Sequence, residues 1–540
     1  MADKENATGG KPAATGQSEH GHDAHPHNST NSNGTQSFST NGAGHDELLA
    51  EIDALVEQAA VEPPLSGSFT KLSEEDTAFL LSAGLHDEGN AQCINRLYAG
   101  RFLWNDSFGW VHYTGSQWAI EEAEQALERA IVHVLTRRIE AASQPETFES
   151  SDKLRKFALP NRTRIEGAKA LLRSLVVAAP SSFDREPDLL NCANGVIDLR
   201  TGSLVAHSPD QHFLHCAPVS YRPAADRSQW LKWLTEAVGA EQADWLQMAV
   251  GYSLTGHTRE EVLFYLFGPP RAGKGLFTET LLAALGSPLA KEIDFGTFTG
   301  QRTGDSQNFD LAPLKPCRYI AASESNSYER LNEAKLKALT GGNEVYCAFK
   351  HHTHFGYRPQ FKIWLSSNQP VNADPDDDAV WGRLRLVHFP HSHLGREDKR
   401  LKQMMRSPAV LEGVLAWAVQ GAVRWYALGS QGLTEPAGSI ALKAEQRGAL
   451  DTVGAWIEEC CTPGSQHFSP FAKLYGSYND WAKVNGVEPK RQKSFSASLQ
   501  HKGYQSDRAT VQGKTQRGFY GLQVNELIKA AAAGFGQMDG

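Results

Sequence analysis

The sequence predicts an α/β domain at the centre of the chain, a mixed α+β region before it, and a winged-helix module after it. Three observations carry this reading. Between residues 229 and 440, three apolar runs (Glu261–Gly268, Arg318–Ser325 and Phe361–Asn368) alternate with helical patterns, as buried strands of an α/β sheet require. Each run ends in polar residues, where functional groups gather in open α/β sheets. Beyond Thr452 the rhythm changes to three helical patterns (Thr452–Cys461, Pro470–Val484, Gln492–Lys502) and a strand–turn–strand centred on Gly513.

The composition sets the outer limits. The 540 residues carry 53 Lys+Arg against 62 Asp+Glu, a net charge of −9, and allow several domains with at least one large core. No apolar stretch reaches the ~18 residues of a membrane-spanning helix, and no apolar signal core opens the chain. A cytoplasmic protein without a membrane partner is therefore expected. The acidic balance excludes a uniformly basic coat, so any nucleic-acid contact must come from local patches. The cysteines are widely spaced apart from Cys460–Cys461, and no Cys-x-x-Cys occurs. They read as reduced thiols rather than a zinc ribbon or a disulfide scaffold.

Residues 1–45 are rich in Gly, Ser, Thr, Asn and His and too poor in apolar side chains to offset their ordering entropy, which predicts a disordered tail. Its His20, His22, His25 and His27, with His45 at the edge, read as solvated side chains with adventitious metal affinity. The segment 46–90 is a helical linker, opened by Leu48, Leu49, Ile52, Leu55 and Val56 at helical spacing and broken at Pro63-Pro64. Residues 91–228 form the mixed region. There Phe102–Trp118 reads as a β-hairpin turning at Thr114-Gly115, and Glu121–Ala142 and Thr163–Ala178 read as helices. Asn191–Leu204 reads as two strands around Thr201-Gly202. Val410–Leu428 adds a helix to the central domain. The winged helix occupies 445–525, and 526–540 is a tail.

The sharpest motif is Gly268-Pro269-Pro270-Arg271-Ala272-Gly273-Lys274-Gly275, followed by Leu276 and a helical pattern to Leu285. A strand before and a helix after are the context of a phosphate loop. Its glycines let backbone N–H groups curl around phosphates, the helix N-terminus adds positive potential, and Lys274 reaches the β- and γ-phosphates. One departure stands out: the usual hydroxyl residue that ligates magnesium is here Gly275. A water, or another hydroxyl such as that of Thr278, is needed in its place, or hydrolysis is weak. A nucleotide hydrolase also needs a carboxylate, a polar sensor and often an arginine. Glu324 ends the second run, Asn368 ends the third, and Arg383 and Arg385 follow the acidic run Asp374, Asp376, Asp377, Asp378.

The order phosphate loop, strand-end Glu, Lys-x-x-Thr-Gly-Gly, strand-end Asn and Trp-x-Arg resembles the superfamily 3 helicases of the phage and plasmid primase–helicase family, similar to the poxvirus primase–helicase. The likeness runs over roughly residues 92–524 and includes the lead-in Asp244–Gly275, the segment Leu336–Val345, the strand Pro359–Pro370 and the upstream pieces Trp104–Trp118 and Leu189–Gly202. It implies an AAA+-type motor using ATP and Mg2+. Lys274 would meet the phosphates, Glu324 would hold magnesium and activate water, Asn368 would be the sensor and Arg383 the arginine finger. The segment after Thr340-Gly341-Gly342 would form a DNA-contacting hairpin in a central pore, with Lys350, His351 and His352 as contacts and Lys337 on the preceding helix. A homohexamer moving 3′-to-5′ on single-stranded and forked DNA is implied as well. Asn343, Ala348 and Gly382 depart from the pattern, at positions where Asp, Arg and Arg are usual. Only about ninety residues precede the matching region and they show no Asp-x-Asp metal pair, so no primer synthesis is expected and a separate primase or polymerase would be a partner.

The winged helix points to nucleic acid on its own terms. Lys490, Arg491, Lys493, Lys502, Arg508, Lys514 and Arg517 face only Asp507 as counter-charge in that stretch. The expectation is ATP-driven translocation on single-stranded DNA with duplex unwinding. The alternative is a DNA-binding initiator or scaffold that binds nucleotide and barely hydrolyses it.

Overall fold

The computed structural model describes residues 72–147, 150–179, 182–299, 309–324, 330–348, 355–396 and 398–525. The histidine-rich tail, the helix expected after it and the tail 526–540 lie outside the described residues.

Five strands form the central sheet: β1 (Leu263–Phe267), β2 (Ala290–Asp294), β3 (Tyr319–Ser323), β4 (Lys362–Ser367) and β5 (Leu384–His388). They lie in the order β5-β1-β4-β3-β2, and every neighbouring pair is parallel. β1, β3 and β4 are the three apolar runs. All six residues of β4 are buried, as a central strand covered on both faces demands. β2 and β5 escaped sequence reading because they are edges. Lys291, Glu292 and Asp294 interrupt one, and Arg385 and His388 the other.

One face of the sheet is covered by helices Ala240–Leu254 and Pro408–Leu428, in a core that holds Trp230, Trp245, Trp417 and Trp425. These helices cross at glycines. A Cβ on Gly251 would sit 2.0 Å from the Ala422 backbone nitrogen, so only glycine permits that approach. The other face is filled by Phe295, Phe361, Leu336 and Trp381.

The region before the sheet packs helices Asp87–Leu97 and Ala123–Ala142 against Phe102 and Trp110. Its aromatic segment forms the expected hairpin at Thr114-Gly115, Gly109–Tyr113 with Trp118–Ala119, and adds a third antiparallel strand, Phe102–Asn105. Leu189–Val205 likewise forms three strands. The extra turn is tied down by Asn194, whose Oδ1 accepts from the Tyr221 amide (2.8 Å) and whose Nδ2 donates to the Tyr221 carbonyl (3.0 Å). Arg138 is wholly buried and joins this region by donating to the carbonyls of Leu80 (3.1 Å) and Ala83 (2.6 Å) and to Asn90 Oδ1 (2.5 Å).

The last part contains helices Thr452–Cys460, Phe471–Val484 and Gln492–His501 around Trp456, Tyr478 and Phe495. Its sheet has three strands, with Lys514–Val524 in the middle, Gln505–Val511 on one side and Cys461–Pro470 on the other. The last of these is buried only at Cys461 and Ser469 and shifts register between Gly464 and Phe468, which hid it from the periodicity. All seven cysteines are unpaired. Among the described residues no helix is long and apolar enough to cross a membrane.

Candidate functional site

The loop after β1 turns sharply because Gly268 and Gly273 adopt φ of +152° and +101°. At Gly268 a Cβ would lie 2.1 Å from the Phe389 carbonyl oxygen, so the loop is pressed against the residue that follows β5. Gly273 caps helix α2 (Lys274–Leu285) with no side-chain cap, leaving the first N–H groups of α2 without helical acceptors. They border a cavity of about 860 Å3 lined by the loop, Glu324 and Asn368.

Lys274 is only 7% exposed. Its Nζ donates to the carbonyls of Gly268 (2.7 Å) and Pro269 (2.9 Å) and to Asn368 Oδ1 (2.8 Å). With no carboxylate among those acceptors, burial lowers the ammonium to about 8. Glu324 follows β3. Its backbone N–H donates to the Ser366 carbonyl (2.9 Å), and its carboxylate accepts from the Ser367 hydroxyl. Neighbouring β3 and β4 thus bring Glu324 and Asn368 to the carboxyl end of the sheet beside Lys274. This arrangement can hold a polyanion against backbone amides and one ammonium, with a carboxylate and an amide alongside.

Gly275 has open space where a side chain would project: no atom lies within 4 Å of an added Cβ. Thr278, one of the alternatives for the missing hydroxyl, is not placed to supply it. It is buried, lies outside the cavity lining and donates to the Gly275 carbonyl (3.0 Å), as helical threonines do.

Arg383 is not at this cavity. It closes helix α4 (Asp378–Arg383) immediately before β5, and the register pairs Leu384 with Leu263 and His388 with Phe267. It therefore sits at the opposite end of the sheet, roughly 20 Å from Gly268 along the strands. Its guanidinium pairs with Glu261 and donates to the Ala379 carbonyl (3.0 Å). Arg385 donates to the Gly382 carbonyl (2.6 Å) and pairs with Glu435 (3.4 Å).

The acidic run binds lysines and arginines of the chain itself. Lys337, on α3 (Glu333–Thr340), pairs with Asp377 at 2.7 Å. Lys490 reaches Asp376 at 2.6 Å and Asp374 at 3.4 Å, and Arg447 pairs with Asp378. Burial alone would raise the Asp376 carboxyl, but hydrogen bonds from Lys490 and Ser498 outweigh it and hold the group below its usual range. Lys502 is paired with Asp451. Three expected DNA contacts, Lys337, Lys490 and Lys502, are thus engaged inside the protein, because carboxylates distant in sequence lie opposite them. Arg491, Lys493, Arg508, Lys514 and Arg517 remain exposed. Arg508 and Arg517 stand directly opposite each other across their strands, a like-charge pairing that an anion would relieve. The segment after Thr340-Gly341-Gly342 is an antiparallel pair, Val345–Cys347 with Phe355–Tyr357. Lys350, His351 and His352 lie outside the described residues.

Sequence reasoning missed much of the cavity lining, including an aromatic ring and an arginine. Trp233, on helix α1 (Ser228–Val238), and Arg396, after β5, both line it. Trp233 reads as one more core residue of an amphipathic helix, and Arg396 sits in no recognisable motif. Only the fold shows where they stand.

Two family models match the chain: one described as D5 N terminal like, over residues 91–239, and a family of unknown function, DUF5906, over residues 266–383. Three viral proteins whose names all begin "Putative helicase" are similar in sequence. L207/L206 of Acanthamoeba polyphaga mimivirus is 24% identical over 306 residues, covering 52% of this chain and 32% of that protein. 022R of Frog virus 3 (isolate Goorha) is 30% identical over 144 residues, covering 25% and 14%. The chain resembles the phage and viral primase–helicase family. 121R of Invertebrate iridescent virus 3 is 21% identical over 252 residues, covering 42% of this chain and 27% of that protein. The chain spans about a third or less of the length of these relatives. Of the two matched segments of this primase–helicase-like chain, the first ends just past α1, and the second runs from within β1 to Arg383. Among solved structures, the apo C-terminal region of NrS-1 aligns at a TM-score of 0.45 and 10% identity, covering 83% of this chain and 100% of that one.

Proposed function

We propose that this chain is an ATP-driven DNA helicase of the superfamily 3 type, with an AAA+-type motor and a winged-helix module, that moves on single-stranded DNA and unwinds duplex. The observation that carries the reading is the Lys274–Asn368 hydrogen bond beside Glu324, at the mouth of a phosphate loop on a parallel sheet. Helicase names among the viral relatives and the exposed arginines of the C-terminal sheet support it.

The donor set fits a magnesium-bound triphosphate. The loop amides and Lys274 supply positive charge, and Glu324 supplies a carboxylate beside them at the end of β3, with Glu236, Glu279 and Asp398 elsewhere in the lining. Magnesium, when bound, neutralises charge on the β- and γ-phosphates. Lys274 exchanges its carbonyl acceptors for phosphate oxygens, and Asn368, already hydrogen-bonded to it, senses that exchange. Glu324 orients the attacking water and takes its proton, with Ser367 holding the carboxylate in place. Arg383, too far from its own loop, serves the loop of a neighbouring copy in a ring. The exposed basic residues of the winged helix hold DNA by its phosphates, which makes binding salt-sensitive.

The test is ATP hydrolysis with and without single-stranded DNA, by the wild type and by Lys274→Ala and Arg383→Ala. Stimulation by DNA, lost in both variants, is expected. A wild type that binds DNA yet hydrolyses no faster than Lys274→Ala would leave the second reading, a DNA-binding scaffold. Gly275, which supplies no hydroxyl, is the observation that favours that alternative.

A further inference from the structure

The cavity is larger and less polar than a phosphate site needs. Its lining includes Trp233, Ala237, Leu401 and Met404, none of which can serve a phosphate. An apolar wall sharing a cavity with a phosphate loop calls for a ligand that is anionic at one end and flat and apolar at the other.

Trp233 is built as a platform. Behind it, Trp230 is 1% exposed and lies 5.2 Å away, centroid to centroid, at 37°. Trp230 stacks in turn on Phe277 of α2 at 5.9 Å and 23°, and packs edge-on against Trp417 at 5.4 Å. Phe277 meets Trp364 of β4 at 5.5 Å. A ladder of rings thus runs from the sheet to the cavity and leaves Trp233, half-buried, as its last rung. At the other side, a Cβ on Gly273 would lie 3.2 Å from Trp233 Cζ2, so the indole stands beside the residue that caps α2. A ring fixed from behind and open to a cavity in front offers stacking at little cost in side-chain entropy.

We propose that Trp233 stacks on the base of the bound nucleoside triphosphate and so fixes its position over the phosphate loop. The inference rests on the nucleotide reading above and adds to it the residue that recognises the non-phosphate half of the ligand. Helix α1 thereby contributes to the site from outside the strand–loop–helix unit that holds the phosphates.

The test is calorimetric titration of the full chain with ATP and, separately, with inorganic tripolyphosphate, both with magnesium. The wild type, Trp233→Phe, Trp233→Ala and Lys274→Ala are compared. Trp233→Ala should weaken ATP roughly tenfold or more and leave tripolyphosphate unchanged, while Trp233→Phe retains most of the ATP affinity. Unchanged tripolyphosphate binding also reports an intact loop. If Trp233→Ala weakens both ligands equally, the tryptophan only props the loop and the proposal is overturned. If ATP binds Trp233→Ala as tightly as wild type while Lys274→Ala loses it, the proposal fails and the nucleotide reading survives. A wild type that binds neither ligand overturns both.

Discussion

Two buried lysines sit at opposite ends of the same sheet. Lys274, at the carboxyl end, donates to two carbonyls and to Asn368, and borders a cavity. Lys362 opens β4 at the amino end, is 2% exposed, and donates to the carbonyls of Thr255, His257 (3.0 Å) and Gln360 (3.1 Å). Its ammonium also lies 4.6 Å over the Tyr252 ring. Desolvation lowers both ammonium groups, Lys362 much the further, with neighbouring Arg318 adding to it. The difference lies in what surrounds them. Lys362 is sealed among fixed acceptors and holds the base of the sheet to the segment before it. Lys274 has a neutral side-chain acceptor and space beside it, so an anion can displace its present partners. Burial of a charge is common to both, and an open side distinguishes Lys274.

Substituting each lysine gives the widest separation. Lys274→Ala should lower triphosphate affinity on the order of a hundredfold in equilibrium titration, with little loss of stability. Lys362→Ala should instead cost about 3 kcal/mol in denaturant unfolding, since it orphans three carbonyls and leaves a cavity. If Lys362→Ala is as stable as wild type, the contrast between the two ends collapses.

Acidity tests the same contrast more finely. The Lys274 ammonium must be present to attract an anion, so triphosphate affinity should fall as pH rises above about 8, by up to about tenfold per unit. Stability moves the other way. The unfolded lysine keeps its proton to near 10.5, the folded one loses it near 8, and stability therefore rises with pH across that window. Affinity that stays flat from pH 7 to 9.5 would contradict the lowered value.

Smaller effects come from the acidic run and the loop. Asp376→Asn should release Lys490 and raise affinity for a single-stranded oligonucleotide about threefold at low salt; an unchanged salt slope would mean that Lys490 stays docked. Gly275→Ser enters open space. It should stabilise α2 by about 0.5 kcal/mol in thermal unfolding. It should also lower the magnesium concentration needed for half-maximal hydrolysis, and no change there would mean that a water already serves.

What could be read from the residues follows this division. The glycine-rich turn at Gly268–Gly275 was legible because strand, turn and helix are contiguous, and β1, β3 and β4 because strands buried on both faces are apolar throughout. β2 and β5 were not, since edges carry charges that break the pattern, and Cys461–Pro470 was not, since its register shift breaks the alternation. Charge counting placed Lys490 and Lys502 among DNA contacts because it sees a cation and not the Asp376 or Asp451 opposite. Trp233 was hidden for the converse reason: an amphipathic helix does not announce that one of its aromatic residues faces a cavity.

The position of Arg383 has a consequence for enzymology. Under the proposed reading, a working unit takes Lys274 from one copy and Arg383 from another, so neither chain is a complete catalyst. Specific activity should then rise with protein concentration. Two dead preparations, Lys274→Ala and Arg383→Ala, should complement each other when mixed, because some junctions in the mixed rings unite an intact lysine with an intact arginine. A mixture as silent as its parts would return the arginine to its own chain.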